Sequence, residues 1–289
     1  MISEATVSKI ISKFGKKCKE LAGRIKEYLQ SCKVKGADET GLRVNGVLNW
    51  LHVVCNDKAT YLYADKKRGF TAIENDGLLL TAFGTLVHDC WSAYFKLDNL
   101  IHAICLAHIQ RELRGAAIRE RAHAEYFERF EKLLLEMWKA KLDAVEAGLE
   151  KLEEEMITQF RLRYRAMIEE GLKKFPKPKK KKYALGLGKM PEGKTRSLLL
   201  RLQERENEAF RFLEDFDVPY CNNESERSLR SSKVRKAVSK TFRTSGGLDD
   251  YAAVTTVLDT ARKNGISRSD MIKAVLDGTA DALLASVLV

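Results

Sequence analysis

Apolar positions in residues 4–32 fall at Val7, Ile10, Ile11, Phe14, Leu21, Ile25 and Leu29, the three- and four-residue spacing of an amphipathic helix. From Ala37 to Ala64 the period shortens. GLRVNGV, VLNWLHVVCND and ATYLYAD are short runs rich in Val, Leu, Trp and Tyr, and they predict three strands joined by tight turns. Asn45-Gly46 is the clearest hairpin signal among them. Phe70 to Phe83 reads as a helix, GTLVHDC as a short buried strand, WSAYFKL as a helix, IHAIC as a fifth strand and LAHIQRELRGA as a helix. Three strands followed by alternating helix and strand predict a mixed α/β sheet flanked by helices.

Residues 120–172 read differently. Phe127, Phe130, Leu133, Leu134, Met137, Leu142, Val145, Leu149, Leu152, Met156, Phe160, Tyr164 and Met167 recur at helical intervals opposite a charged face, which predicts one long helix or two in a hairpin. The stretch ends in KKFPKPKKKK (173–182), a solvated loop by composition and a candidate to lie along a phosphate backbone. Helix resumes over 194–216, Pro219 breaks it, another helix begins near Asn222, and 248–289 predicts two more around Asn264-Gly265. The organisation read from these patterns is an N-terminal helical segment (1–34), a sheet core (35–114 and 217–275), helices with the Lys/Pro-rich loop between its halves (115–216), and a helical tail (276–289).

Composition narrows the class. At 289 residues with 45% hydrophobic and 31% charged, the chain has the make-up of an ordinary globular protein. No run approaches a membrane span, and the N-terminus lacks the apolar core of a secretory signal, so a cytoplasmic protein with reduced thiols at its six scattered cysteines is expected. Lys and Arg total 51 against 40 Asp and Glu, a net charge of +11. That balance favours a polyanionic partner, nucleic acid first among them.

Three acids form the candidate chemistry. Asp38 lies in GADETGLRV at the head of the first strand, Asp89 ends the fourth strand in LVHDCW, and Glu226 sits in NNESERSLR. They are far apart in sequence and can meet only through the fold. Carboxylates from adjacent strand ends and a nearby helix suit two-metal phosphoryl transfer, and hard oxygen ligands suit Mg²⁺ better than His or Cys would. Each acid also has a structural reading: Asp38 and its neighbour Glu39 as polar residues at a strand start, Asp89 as a helix cap. With Asn223 as N-cap, Glu226 would fall at N3 of something close to a capping box, one turn before Arg230. His88, beside Asp89, would point to the opposite face of its strand. Cys105 and His108 make a C-x-x-H fragment with no second pair, too little for a zinc site.

An ordered set of segments carries a resemblance. ADET (37–40), VNGVLNWLHVV (44–54), VHDCWSAY (87–94), CLAHIQREL (105–113), NNESERSLR (222–230), KTFRTSGG (240–247) and TTVLDTARKNG (255–265) together resemble the catalytic region of the insertion sequence 66 family of bacterial DDE transposases, over roughly residues 30–275. The resemblance implies an RNase H-like sheet with a long helical insertion before the last catalytic acid, and an acidic triad at Asp38, Asp89 and Glu226. It implies two Mg²⁺ ions, with Mn²⁺ able to substitute. The implied activity is strand cleavage at transposon ends and joining of the 3′-OH to target DNA. The partners would be double-stranded DNA and, once assembled on it, further copies of the chain, with no membrane. Asn222, Asn223, Arg227, Arg230, Arg235 and Lys236 would then lie close enough to the site to meet DNA.

Two departures from the family pattern stand out. Its members carry a DNA-binding, often zinc-binding, portion ahead of ADET, whereas 37 residues without clustered Cys or His precede Asp38 here; the chain reads as a short form, a truncated copy or an isolated catalytic core. Cys90 stands where Gly is common, and Cys221 where an Asp often precedes the two asparagines. The competing readings are a non-catalytic DNA-binding remnant of such a transposase and an RNase H-like nuclease that only hydrolyses.

Overall fold

The structure is a computed structural model that describes residues 3–177 and 193–288. The last part of the Lys/Pro-rich loop, residues 178–182, lies outside the described residues. The chain divides into two compact units, Met1–His102 with Asn222–Val289, and Ala103–Cys221.

The first unit is built on β1 (Val34–Val44), β2 (Val47–Cys55), β3 (Thr60–Asp65) and β4 (Thr85–His88). With β5 (Ile101–Ile104) they make a five-stranded mixed sheet in the order β3-β2-β1-β4-β5. β1 pairs antiparallel with β2, β2 antiparallel with β3, and β1 parallel with β4. Asn45 (φ 46°) and Gly46 (φ 78°) are both left-handed, as the two-residue hairpin turn requires, so this signal was local and sufficient.

Strand alternation divides the sheet into two faces. Ala37, Val54 and Leu86 join one core with Cys18, Leu21, Ile25 and Leu29 of α1 (Glu4–Ser31), with α2 (Phe70–Asp76) and with α3 (Leu78–Thr81). Helix α1 is therefore part of this unit's core. Leu42, Leu51, Val53, Cys55 and Leu62 face the other way, onto Leu229 of α9 (Asn223–Ser239) and Leu248 and Ala252 of α10 (Ser245–Lys263). Burying each such Leu contributes about 1.5–3 kcal/mol, so both faces are held against slippage. The C-terminal region forms three helices where two were expected. α10 ends at Asn264-Gly265, α11 (Arg268–Asp277) is capped by the Ser267 hydroxyl, and α12 (Ala280–Ala285) comes after the left-handed Gly278. WSAYFKL is not a helix but a turn with one 3₁₀ segment at Tyr94–Lys96.

The second unit holds α4 (Leu106–Arg119), α5 (Ala124–Glu146), α6 (Glu154–Lys174), α7 (Lys194–Glu204) and α8 (Glu206–Glu214). The long apolar stripe is split between α5 and α6 by a turn at Gly148 (φ 80°). Its residues pack on each other: Phe130 edge-on to Tyr164, and Tyr164 edge-on to Phe210. The expected single helix over 194–216 breaks at Arg205. Arg161 of α6 braces α8 beyond the break, pairing with Glu206 and Glu214 at 2.7 Å each.

Candidate active site

The three acids all belong to the first unit. Asp38 sits within β1, half-buried, one residue past the stretch where β1 and β4 pair in parallel. That register matches Gly36 with Val87 and is not carried on to Asp89, which follows β4 in a turn but lies near enough for its charge to act on Asp38; the Asp38 side chain stands on the sheet face of Leu42 and Val53. The face is the one covered by α9, the helix carrying Glu226, which packs on β1 and β2. The fold thus brings β1, the end of β4 and α9, the elements that carry the three acids, together in one unit. Among the described residues no three His, Cys, Asp or Glu side chains are gathered tightly enough to hold a metal ion.

The position of α9 is set by a contact that reaches across most of the sequence. Asn222 is buried, and its Nδ2 donates to Ala37 O at 2.7 Å, one residue before Asp38. Its Oδ1 accepts from Ser225 Oγ at 2.7 Å, and Ser225 Oγ in turn lies 3.3 Å from Cys55 Sγ. Gly36 permits the approach: a Cβ there would lie 2.2 Å from Asn222 Oδ1 and 2.7 Å from Ser225 Oγ. Asn222, rather than Asn223, is the N-cap residue of α9. Glu226 therefore falls past N3, and the capping-box reading of that carboxylate does not hold. Asn222 itself is spent inside the protein and holds α9 on β1.

Electrostatics at the acids follow from burial. Asp38 Oδ1 accepts a hydrogen bond from Glu39 N at 2.8 Å. Burial, with the negative charges of Glu39 and Asp89, pushes its carboxyl up to about 7, against the opposing pull of that Glu39 N–H bond first and of Lys233 after it. Asp89 Oδ1 accepts from Trp91 N at 3.0 Å, closing the turn after β4. His88 is fully buried and packs against Tyr94 and Phe95, with Nε2 3.0 Å from His102 Nδ1.

The basic residues of α9 lie on its exposed sides, away from the Ser225, Ser228, Leu229 and Ser232 stripe that is buried. Arg227 is exposed and pairs with Glu224 at 3.0 Å. Asn223, Arg230 and Lys236 are exposed. Arg235 stacks its guanidinium over Phe242 (4.5 Å) and Tyr251 (5.0 Å). A groove of about 490 Å³ runs between α9, α10 and the start of α11, with Arg227, Arg230, Arg262 and Arg268 in its walls and Val234 and Leu258 in its lining.

Two residues were missed by sequence reasoning. Lys233 lies seven residues after Glu226, two helical turns along the same face, so the helical period could have found it. Glu39 reads in the sequence only as a polar neighbour of Asp38. Its side chain is 2% exposed, and both its oxygens are bonded, one to Arg68 and one to Tyr94. In the second unit, Cys105 is buried at the start of α4 and its carbonyl accepts from His108 N.

The first unit thus carries Asp38 in β1, Asp89 in the turn after β4 and Glu226 on the helix packed over β1 and β2, with several exposed cations on that helix. The family model for the IS66 family of transposases matches residues 1–250, and the chain belongs to that family. DNA is therefore its partner class, and polynucleotidyl transfer the reaction class that membership supports. No curated protein matches the chain. Among the described residues no helix is long and apolar enough to cross a membrane.

Proposed function

We propose that the chain is a DDE-type transposase with an RNase H-like catalytic core, in which Asp38, Asp89 and Glu226 hold two Mg²⁺ ions, Mn²⁺ substituting. The helices between β5 and α9 are then an insertion ahead of the last acid. The observation that carries the reading is the Asp38 carboxyl on β1, on the face covered by the helix of Glu226 and within reach of the Asp89 charge just past the neighbouring strand. The donor set suits the metal: oxygen ligands only, with one carboxyl raised by burial and by acidic neighbours that a cation would neutralise. When bound, divalent ions supply charge neutralisation at the phosphate and activation of the attacking oxygen.

The remaining work falls to the chain's own residues. Asp38 must lose its proton before it can ligate, and Lys233 favours that loss. Asn222 keeps Glu226 over the strands by holding the start of α9 on Ala37 O. Asn223, Arg227, Arg230, Arg235 and Lys236 meet phosphates of double-stranded DNA, the arginine-walled groove beside α9 being one path for the backbone. In cleavage a water oxygen attacks phosphorus, the P–O3′ bond breaks, and a 3′-OH and a 5′-phosphate result. In joining, that 3′-OH attacks a target phosphate in the same way, so the protein is never covalently attached. Copies of the chain assemble on the DNA ends so that both are joined together.

The test is nicking and strand transfer on a labelled duplex in Mg²⁺ or Mn²⁺, comparing the wild type with Asp89→Asn and Glu226→Gln. Metal-dependent joining that both variants lose by 10³-fold or more, on the order expected for removing a metal ligand, supports the reading. Nicks never followed by joining would make the chain a nuclease. DNA binding with no cleavage in any metal would make it a binding remnant.

A further inference from the structure

The face of the sheet opposite Asp38 and α9 holds a cluster that the proposed chemistry does not use. Glu39 is buried on β1 between Asp38 and Thr40. Its Oε1 accepts from Arg68 Nη2 at 2.7 Å and Nε at 2.8 Å, and its Oε2 accepts from Tyr94 OH at 2.8 Å. The Arg68 guanidinium is sandwiched between two indoles, 4.9 Å from the Trp50 ring and 4.5 Å from the Trp91 ring. Trp91 also meets Tyr94 edge-on at 5.5 Å. Trp91 N donates to Asp89 Oδ1.

These contacts close a ring. From Asp38 the path runs through its neighbour Glu39 to Arg68, from Arg68 through the stacked Trp91 to Asp89, and β1 and β4 return it to Asp38. Asp38 sits on β1, and Asp89 lies beyond the last paired residue of β4, on a turn with no ladder of its own. Something must hold that turn at a fixed height relative to β1. Resting on the function proposed above, we infer that Arg68, clamped by Glu39, Trp50 and Trp91, is the positioning residue that fixes the Asp89 turn against Asp38 and so sets the spacing of the metal ligands.

Arginine is specific to this task. Its planar fork binds one carboxylate while both its faces stack on indoles, which a lysine ammonium cannot reproduce. The arrangement is also one-sided: Arg68 reaches Glu39 and Trp91 on the face away from the substrate, so it acts through Asp38 and Asp89 and is not a catalytic residue. The Arg68 side chain is 44% exposed, so its replacement removes no core volume. Groups that hold metal ligands in place affect metal affinity by about 10- to 100-fold when removed.

The experiment uses the full chain and Arg68→Lys, Arg68→Gln, Trp91→Ala, Trp91→Tyr and Asp89→Asn. Mn²⁺ binding is followed by calorimetric titration, and the Mn²⁺ dependence of cleavage by gel. Arg68→Lys and Arg68→Gln are expected to raise the half-saturating Mn²⁺ concentration about 10- to 100-fold. Cleavage should partly recover at high metal, with DNA affinity measured without metal unchanged. Trp91→Tyr keeps an aromatic face and retains most of the affinity, whereas Trp91→Ala behaves like Arg68→Gln. A merely structural role would lower the unfolding temperature without moving the metal midpoint, and that result overturns the inference. Wild-type binding that Asp89→Asn abolishes and the Arg68 variants preserve also overturns it, leaving the active-site reading intact. Absence of any Asp89-dependent binding or cleavage in the wild type overturns both.

Discussion

Replacing Gly36 by Ala tests whether the approach of α9 to β1 is what places Glu226. Gly36 does not have a left-handed φ, so alanine meets no backbone strain there, and the effect is one of contact alone. The new Cβ would lie 2.2 Å from Asn222 Oδ1 and 2.7 Å from Ser225 Oγ, so the Asn222 side chain must swing away. Two hydrogen bonds of that side chain go, the one to Ala37 O and the one from Ser225 Oγ. At about 1 kcal/mol net for each bond and about 1–3 kcal/mol for overpacking, Gly36→Ala costs on the order of 3 kcal/mol. Asn222→Ala loses the same two bonds without the clash and costs about 2 kcal/mol. In the double variant the added methyl occupies the space that Asn222 vacates. The overpacking is then relieved and only the two lost bonds remain, so the cost should be about 2 kcal/mol rather than 5, a coupling of about 3 kcal/mol. The assay is urea unfolding followed by tryptophan emission in a Trp138→Phe background. Trp50 and Trp91, the remaining tryptophans, both lie in the first unit, so the signal reports that unit alone. Additivity within about 0.5 kcal/mol would refute the packing argument. All three variants should lose DNA cleavage, because each releases the start of α9.

Asp38 gives a pH prediction for the metal-free protein in chelator. Its carboxyl stands at about 7 when folded against an ordinary 3.8, so between those values the native state holds a proton that the unfolded chain has released. Stability is then fully present below pH 4 and lost as pH rises to 7, by at most about 4 kcal/mol, and Asp38→Asn flattens that part of the profile. Chemical unfolding at pH 5 and pH 8 reads it; an unchanged difference between the two pH values in Asp38→Asn refutes the assignment. In the second unit, Lys141 is buried and donates to Phe216 O and Val218 O, and burial pulls its ammonium down from 10.5 to about 8. Stability of that unit should rise between pH 8 and 10.5, where the unfolded chain still holds the proton. Lys141→Met should remove the slope and cost about 2–4 kcal/mol for the two stranded carbonyls, read by Trp138 emission, since Trp138 stacks on Tyr220 nearby. Gly46→Ala, at φ 78°, should cost about 1 kcal/mol in thermal unfolding without changing metal dependence, since the hairpin tip is remote from Asp38 along β1.

What was legible in the sequence was what local periodicity determines. The three antiparallel strands, the Asn45-Gly46 turn, α1 and the split stripe of α5 and α6 all carry their period and punctuation within a few residues of themselves. WSAYFKL failed because its conformation is decided elsewhere. Ala93, Tyr94 and Leu97 are drawn into the core, Tyr94 is tied to Glu39 on β1, and the Asp89 carboxylate closes the preceding turn, leaving room for one 3₁₀ segment. The break at Arg205 was equally hidden. No Gly or Pro marks it, and the ion pairs of Arg161 on α6 with Glu206 and Glu214 hold α8 from a distance in sequence.

At the site, the residue types and order were readable, and the division of labour was not. Asn222 and Asn223 look alike as a polar pair before a helix, yet one is buried against Ala37 O and the other is exposed. The difference lies in Gly36, 186 positions earlier, which leaves the space that only one asparagine fills. Asp38 and Glu39 present the same problem on a strand. Both are acidic, and adjacent residues on β1 must point to opposite faces, so only one of them can lie on the side of α9. The parallel pairing of Gly36 with Val87 makes that one Asp38, and leaves Glu39 to the face where Arg68 is clamped. A single-residue slip between β1 and β4 would exchange them, setting an arginine-paired carboxylate beneath α9 and burying Asp38 among the indoles. The two hydrophobic faces that fix the register therefore also decide which acid lies on the side of α9.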